Sequence, residues 1–455
     1  MAVYITTLIF LERFNFRLRD SINTVESLID YAIELGHDVC AITEHDTIAS
    51  HIKAEKYYNK IKKENPNFKL IRGNEIYLVR NGLNKDNYNK DFDRYFHFIL
   101  LARDAEGHKQ IREISSRAWV RSYMARGQRR VPTYYQDLID IIGKNPGHVI
   151  AASACLGGCL PTQLIRNRDN GAPSMTLIKQ WIKQIQGIFG KENFYFEMQP
   201  SFNKDQIYVN HKLVELSDEM GIKYIITNDA HYLKKEDRSI HKAFLNSQKG
   251  DREVDDFYAT TYLMSTKEIE YYMLEEMGEE VLQAAYKTID EIKEKCEDYS
   301  LMKPLNIPRL NWKRFELTHN KNFYIDKIPY LKKFYESDYS EDRHLACAII
   351  NRLEEATAEE DLNNQKAYDE INACLEDTWI SSEVNGSRWS AYFLNLQNII
   401  DACWEAGTLV GAGRGSGVGF ILLYLLGITQ INPLREKTKT FRWRFLNPAR
   451  VSVLD

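Results

Sequence analysis

The first 250 residues alternate short apolar runs, rich in β-branched and aromatic residues, with longer amphipathic stretches. This alternation predicts repeated units of β-strand and α-helix. Many strands separated by helical stretches favour a closed βα barrel. The predicted strands are the runs at 39–43, 68–71, 96–102, 148–152, 194–196 and 223–227.

Helices are predicted both between these strands and in the rest of the chain. The first predicted helix begins within Asn23-Thr24-Val25-Glu26, which has the pattern of a capping box. Its predicted apolar face consists of Val25, Leu28, Ile29, Ala32 and Ile33. Two further stretches, about 255–300 and 340–405, are predicted to be helical and rich in charge. Proline, asparagine, lysine and aromatic residues mark a connection between them, so we place a domain boundary near 300.

Composition narrows the class of protein. Sixty Lys and Arg against sixty-four Asp and Glu give a net charge of −4, so any contact with nucleic acid must be local. Seven cysteines without regular spacing fit a reducing compartment better than a disulfide framework. No charged leader followed by an apolar stretch opens the chain, and the longest apolar run, 418–426, is too short to span a bilayer. We therefore expect a cytoplasmic protein without a membrane partner.

Side chains able to bind metal occur at the ends of several predicted strands, and these ends converge on one face of a βα barrel. Imidazole, carboxylate and thiolate ligands together suit zinc, manganese or iron, and clustered ions could hydrolyse a phosphoester by activating water. A lone His after a strand is more often a hydrogen-bonded structural residue, but repetition at several strand ends favours a metal site. The candidates after strands are His45, Glu75, Asp229 and His231; His97 and Cys155 fall inside or just after two more strands, and Asp20 precedes the first helix.

The segment 411–417, Gly-Ala-Gly-Arg-Gly-Ser-Gly, is a candidate phosphate-binding loop. Closely spaced glycines let backbone N–H groups approach an anion, and a following helix would direct its positive end at that anion. Arg414 adds a fork of donors and Ser416 adds a hydroxyl. By itself the pattern fits a structural turn equally well.

Residues 1–250 resemble the polymerase and histidinol phosphatase domain, or PHP domain, of bacterial replicative DNA polymerases. The resemblance rests on the segments 43–46, 73–77, 152–156 and 227–233, of which the last is the most specific. Where that family opens with a His-x-His metal motif, this chain has Leu8-Ile9-Phe10. Because Leu and Phe cannot coordinate a metal, we expect the seven candidates to hold at most a partial site, with weak or absent phosphoesterase or proofreading activity. Alternatively, the first dozen residues are aberrant, since the match resumes at Asn15.

The carboxy-terminal third resembles the palm of the C-family polymerases, and the whole chain is similar to the amino-terminal part of a DNA polymerase III alpha subunit. The ordered segments are 390–394, 411–417, 424–429, 432–434 and 444–452. The resemblance implies that Asp455 is the first acid of an Asp-x-Asp pair that holds Mg²⁺. It also implies triphosphate binding by Gly413, Arg414, Gly415 and Ser416. The chain departs from the family at Ala412, where Pro is usual, and at Val453-Leu454, which replaces Met-Pro.

These observations predict an α/β chain. We expect a PHP-type βα barrel with a degenerate metal site at 1–255, a mostly helical connection at 256–340, and an incomplete α+β polymerase palm at 341–455. A lone Asp455 is a poor two-metal site, so we expect no independent polymerisation by this chain. We expect completion by a carboxy-terminal polymerase fragment or by splicing.

The resemblance implies primer-template DNA, dNTPs and replisome proteins as partners, in the cytoplasm of a bacterium or of a phage host. Mg²⁺ would serve the completed polymerase, and Zn²⁺ or Mn²⁺ the partial PHP site. Two other readings stay open. One is a free-standing PHP-type phosphoesterase or 3'-5' exonuclease, and the other is a non-catalytic polymerase remnant that acts as a scaffold.

Overall fold

The computed structural model describes the residues 4–5, 21–89, 93–125, 128–246, 256–303, 306–309, 321–435 and 440–451. The chain divides into two compact units, Met1–Met302 and Lys303–Asp455. The predicted site residues Asp20 and Asp455 and the tripeptide Leu8-Ile9-Phe10 lie outside the described residues. Within the described part, no helix is long and apolar enough to cross a bilayer.

The first unit is built on a curled sheet of eight strands, in the order β1-β10-β9-β8-β4-β3-β2, with β7 pairing on β3. Residues of β1 and β2, at the two ends of this order, have Cα atoms within 8 Å, so the sheet curls into a barrel. The predicted α/β fold with a βα barrel is confirmed. A separate hairpin joins β5 to β6. The strands are β1 (Tyr4–Ile5), β2 (Val39–His45), β3 (Lys69–Val79), β4 (Phe96–Ala102), β5 (Tyr123–Ala125), β6 (Gln128–Arg130), β7 (Pro132–Tyr134), β8 (Val149–Ala152), β9 (Phe194–Met198) and β10 (Tyr224–Asn228).

One strand of the barrel is reversed. β4 runs antiparallel to its neighbours β3 and β8, whereas the other neighbouring pairs of the eight-stranded sheet are parallel. The beginning of β4, which carries His97, therefore lies at the rim formed by the carboxyl ends of the other strands. The reversal of β4 thus brings His97, which lies inside a predicted strand, to the rim where the other strands end.

The third strand is longer than its apolar pattern predicts. The apolar run stops at Ile71, but the strand continues to Val79 through buried polar residues. Asn74 donates hydrogen bonds from Nδ2 to the carbonyl oxygens of Glu44 and Thr47, at 2.7 and 2.9 Å. Because these bonds replace contacts with water, the strand can remain buried without an apolar side chain at this position.

Helices cover the outside of the sheet and bury their apolar faces against it. The helix that begins after Ser174 shows the usual pattern, with Ile178, Ile182 and Ile185 fully buried at spacings of three and four residues. The helices of this unit are α1 (Val25–Glu34), α2 (His51–Ile61), α3 (Ala105–Val120), α4 (Tyr135–Leu138), α5 (Cys159–Asn170), α6 (Met175–Phe189), α7 (Lys204–Met220), α8 (Arg238–Leu245), α9 (Thr266–Met277) and α10 (Glu279–Lys295).

The capping residue of α1 differs from the prediction by one position. Thr24, not Asn23, is the N-cap. Its side chain accepts a hydrogen bond from the N–H of Ser27, and the hydroxyl oxygen of Ser27 accepts one from the N–H of Thr24. Asn23 is instead buried and donates from Nδ2 to the carbonyl oxygen of Ala230 at 3.1 Å. This long-range bond ties the start of α1 to the segment after β10.

The described elements of the second unit are helical, as predicted for 340–405. Its core contains the rings of Phe393, Phe420 and Phe445, whose centroids are 5.2–6.4 Å apart. Asp342 is fully buried in this unit and pairs with Arg388 at 2.6 Å. The helices are α11 (Lys321–Lys327), α12 (Pro329–Tyr335), α13 (Ser340–Glu355), α14 (Gln365–Asn385), α15 (Trp389–Glu405) and α16 (Ile421–Leu425), with 3₁₀ turns at Gly415–Gly419 and Arg442–Arg444.

Candidate functional site

Strand register brings three candidate ligands to one part of the barrel rim. His45 is the last residue of β2, and its Cα partner on β3 is Glu75. Two residues further along β3, Tyr77 is the Cα partner of His97 on β4. Side chains two residues apart on a strand point to the same face, so the pairing sets the three ligands side by side.

The ligand atoms of His45, Glu75 and His97 all lie within 4.8 Å of one another. Oε1 of Glu75 is 2.6 Å from Nδ1 of His97 and 3.7 Å from Nδ1 of His45. Cys155 joins this group, since its Sγ is 3.3 Å from Nδ1 of His97. Its loop approaches closely because it has a glycine at position 157, where a Cβ would lie about 3.1 Å from the ring of His97.

Burial and mutual charge set the protonation of the group. Burial, with the nearby His97 and His231, lowers the pKa of His45 well below its usual value, so this imidazole is neutral. Burial raises the pKa of Glu75, and the charge of Asp229 acts in the same direction. A divalent cation can bind the neutral imidazole directly, but it requires Glu75 in its ionised form and would therefore oppose the rise in the pKa of this carboxyl group.

The second half of the group holds a proton in the absence of a cation. Burial raises the pKa of the Cys155 thiol to about 12. Burial alone would lower the pKa of His97, but its contacts with Cys155 and Glu75 raise it well above its usual value. Binding of a metal ion at this group would therefore displace protons.

Asp229 and His231 form a neighbouring pair rather than part of the same close group. Nδ1 of His231 is 3.5 Å from Oδ1 of Asp229 and 2.9 Å from its carbonyl oxygen. Both act on Glu75 through their charges, which places them close to the cluster. Of the predicted ligands, the structure thus brings together His45, Glu75, His97 and Cys155, with Asp229 and His231 beside them.

Two buried polar atoms at this site have no hydrogen-bond partner among the described residues. They are Nδ1 of His45 and Oε2 of Glu75. Leaving such atoms unpaired costs about 1–3 kcal/mol each unless another group satisfies them. Nitrogen, oxygen and sulfur ligand atoms with lone pairs that are not used in hydrogen bonds fit a metal ion of the first transition series.

The sequence interpretation missed two acidic groups near the cluster. Asp46 follows His45 with a left-handed φ of +57°, and its carbonyl oxygen accepts from the indole of Trp119 at 2.7 Å. Glu197 lies in β9, where burial raises its pKa to about 7, and accepts from Oγ1 of Thr227 at 2.7 Å. The available signal for Glu197 was a single acid inside the apolar run Phe-Tyr-Phe-Glu-Met at 194–198.

The glycine-rich loop of the second unit is exposed from residue 411 to residue 416. Gly413 has a φ of +142°, and a Cβ there would lie 2.6 Å from Cγ1 of Val418. The carbonyl oxygen of Ala412 accepts from the N–H of Gln430 at 2.7 Å. Glycine is therefore required at 413, where the loop folds back on the chain that follows it.

The side chains of Arg414 and Ser416 form no hydrogen bond within this loop. Both residues are exposed, and Arg414 forms no ion pair with a described residue. The segment that follows is a 3₁₀ turn, Gly415–Gly419, and then the five-residue helix α16. The sequence predicts a helix directly after the loop whose positive end would attract an anion. In the structure only a 3₁₀ turn stands at that position.

Comparison with known proteins identifies the parts of the chain. The PHP domain matches residues 13–201, and the bacterial DNA polymerase III alpha NTPase domain matches residues 348–455. The stretch that matches the PHP domain includes the His45, Glu75 and His97 cluster, and the stretch that matches the polymerase III alpha NTPase domain includes the glycine-rich loop.

Several curated relatives with names of DNA polymerases match nearly the whole chain. The Bacillus subtilis protein named probable DNA polymerase YorL and the DNA-directed DNA polymerase of Bacillus phage SPbeta are each 35% identical over 98% of this chain and 35% of their own length. The DNA polymerase III subunit alpha of Borreliella burgdorferi is 28% identical over 97% of this chain and 34% of its own length. The chain thus spans about a third of the length of the relatives it matches.

Proposed function

We propose that the chain forms the amino-terminal portion of a replicative DNA-directed DNA polymerase. The observation that carries the proposal is the match of residues 13–201 to the PHP domain and of residues 348–455 to the polymerase III alpha NTPase domain, together with similarity over 97–98% of the chain to relatives named DNA polymerases. Those relatives are about three times as long as the matched part. In this proposal the chain works together with a further polymerase segment, equivalent to the part of the relatives that this chain does not match. The substrate is primer-template DNA, in the cytoplasm of a bacterium or of a phage host.

The glycine-rich loop would bind the triphosphate of the incoming nucleotide. Gly413 and Gly415 are exposed and have no side chain of their own that could cover the backbone N–H groups. Arg414 has no competing carboxylate among the described residues and can offer two parallel N–H donors to phosphate oxygens. Ser416 adds a hydroxyl donor. These groups would hold and orient the nucleotide rather than perform the bond exchange.

Mg²⁺ is the cation proposed for the polymerase reaction, with Asp455 among its ligands. When bound, it would neutralise charge on the phosphates and clamp the attacking and leaving oxygens. The loop residues act beside it by fixing the position of the triphosphate. A complete set of carboxylates would come from the polymerase sequence that continues in the relatives.

A second candidate function belongs to the barrel. The close group of His45, Glu75, His97 and Cys155, with two unpaired buried polar atoms, fits a metal-dependent phosphoesterase. These side chains would hold Zn²⁺ or Mn²⁺, which supplies an activated water when bound. Glu75 would remain ionised and orient His97 through their hydrogen bond at 2.6 Å.

Nucleotide binding and complementation test the polymerase proposal. The purified chain is titrated with a fluorescent dNTP in Mg²⁺, and Arg414→Ala should weaken binding about tenfold or more, since a charge-assisted hydrogen bond is worth about 1.5–3 kcal/mol. Arg343→Ala, which removes an exposed arginine on α13, is the matched control. Addition of the carboxy-terminal two thirds of the phage relative should restore primer extension. Extension that survives both Arg414→Ala and Asp455→Asn contradicts the site assignment.

A further inference from the structure

Two exposed aromatic side chains meet where the loop after β9 contacts α9. Phe202 belongs to that loop and is 59% exposed, and Tyr271 belongs to α9 and is 69% exposed. Their ring centroids are 5.6 Å apart, with the ring planes at 76° to each other. Large aromatic side chains bury most of their surface in the typical folded chain. An exposed aromatic pair of this kind is characteristic of an interaction surface.

Neighbouring groups hold both rings in place. The buried ring of Tyr272 packs against the pair, with its centroid 4.6 Å from that of Phe202 and 5.3 Å from that of Tyr271. The backbone after Phe202 is fixed as well, because the N–H of Asn203 donates to Oγ of Ser201 at 3.0 Å and Asn203 caps α7. The rings are therefore in position before a partner binds, which lowers the entropy cost of binding.

The surface around this aromatic pair is acidic. Residues 266–280, which form α9 and the start of α10, contain six glutamates and one lysine. Leu274 and Glu275 follow Tyr271 by three and four residues, and all three side chains are exposed. Residues at these spacings are neighbours on the surface of a helix. An apolar surface with this charge favours a partner segment that is both apolar and cationic.

The basic groups near this surface leave one carboxylate available. They are Lys204, Lys267 and His211. Nε2 of His211 lies 3.8 Å from Oε2 of Glu276, so the imidazole faces that glutamate. Glu275 forms no ion pair with a described residue, and it lies one turn beyond Tyr271 on α9. Its carboxylate can therefore pair with a cation that a partner brings to the rings.

We propose that Phe202, Tyr271 and Glu275 form a docking site for an arginine side chain of a partner protein. Leu274 contacts the apolar residue beside that arginine. A planar guanidinium can stack on an aromatic face and donate two parallel N–H bonds to a carboxylate, whereas a lysine ammonium offers only a point charge. The surrounding glutamates repel phosphates, so the site takes a peptide segment and not a nucleic acid. Neither the metal cluster nor the glycine-rich loop takes part.

Binding of a rhodamine-labelled peptide, Gly-Leu-Arg-Leu-Gly-Leu-Arg-Leu-Gly, tests this proposal by fluorescence anisotropy on the full chain. The parent chain should bind the peptide with a dissociation constant below about 1 mM. A second peptide carries citrulline in place of arginine, which keeps the shape of the side chain and removes its charge. It should bind at least about fivefold more weakly, and a peptide with lysine in place of arginine should lie between the two.

Substitutions separate the contribution of the ring from that of the charge. Tyr271→Leu should weaken binding of the arginine peptide at least about threefold, because it removes an aromatic face. Tyr271→Phe keeps the ring and should bind within about twofold of the parent chain. Glu275→Gln should weaken binding at low salt, and this loss should shrink as salt is raised, since exposed charges are screened. Glu294→Gln removes an exposed glutamate of α10 with the same change of charge and should leave binding unchanged.

Four results would overturn the proposal. They are equal binding of the citrulline and arginine peptides, parent-like binding by both Tyr271→Leu and Glu275→Gln, binding by Tyr271→Phe as weak as that by Tyr271→Leu, and absence of peptide binding. Self-association of the parent chain that Tyr271→Leu abolishes, without peptide binding, would identify a second copy as the occupant instead. Thermal unfolding of each variant confirms that a weakened interaction does not come from a misfolded chain.

Discussion

Replacement of Gly413 by alanine tests whether the glycine-rich loop needs its observed shape. The new Cβ would lie 2.6 Å from Cγ1 of Val418, about 0.8 Å inside the shortest ordinary contact, and 3.4 Å from Cβ of Thr429. Val418 cannot easily move aside, because a β-branched side chain has few alternative rotamers. The residue also has a φ of +142°, which side-chain-bearing residues rarely adopt.

The cost can be worked from these two terms. A disfavoured φ costs about 1–3 kcal/mol, and overpacking by one methyl costs about 1–3 kcal/mol. An exposed loop relaxes rather than retain several kcal/mol of strain, so most of the effect should appear as lost geometry. If about 2 kcal/mol of binding energy for the triphosphate is lost, affinity for a dNTP falls about 30-fold.

Gly411→Ala provides the control within the same loop. Gly411 is equally exposed, has no positive φ, and a Cβ there meets nothing within 4 Å. Titration with a fluorescent dNTP should therefore show Gly411→Ala within about twofold of the parent chain and Gly413→Ala far weaker. Equal affinities for the two variants would refute the reasoning that the observed loop shape creates the phosphate site.

Three further predictions concern the barrel and the second unit. Glu75→Gln should reduce zinc retained after dialysis to background, measured by mass spectrometry, whereas the exposed Glu64→Gln should retain it. Asp342→Asn should destabilise the second unit by about 3 kcal/mol in urea unfolding, because it leaves Arg388 buried without a counterion, and Asp338→Asn should not. Burial raises the pKa of Glu197 to about 7, so folding stability should fall as pH rises from about 4.5 to 7, and Glu197→Gln should flatten that profile; an unchanged slope would contradict it.

Local pattern predicted the strands whose apolar runs are uninterrupted. The strand predicted at 96–102 has the observed bounds Phe96–Ala102, and the buried face of α1 contains Val25, Leu28, Ile29 and Ala32 as predicted. The apolar side chains of these elements pack mainly in the core of their own unit, so the local pattern of apolar residues carries most of the signal.

Structural features that depend on residues distant in the chain were not predicted from the sequence. The extension of β3 depends on hydrogen bonds between Asn74 and the carbonyl groups after β2, and the N-cap at Thr24 depends on the engagement of Asn23 by Ala230. The direction of β4 is set by pairing with strands on both sides, and no residue within the strand encodes it. The candidate ligands were found because their residue types are rare at strand ends, but their grouping required the register of β2, β3 and β4.

The reversed strand also allows the loops at the rim to change in length independently of the outer helices. In a strictly alternating βα barrel, each rim loop leads from a strand into a helix, so a longer loop also displaces the start of that helix. Here the connection between Val79 and Phe96 begins and ends at the rim, between two directly paired strands. Insertions at the exposed positions 84–87 can therefore reshape access to the cluster while the helical layer stays in place. This loop is the natural position for a peptide tag or a grafted recognition segment.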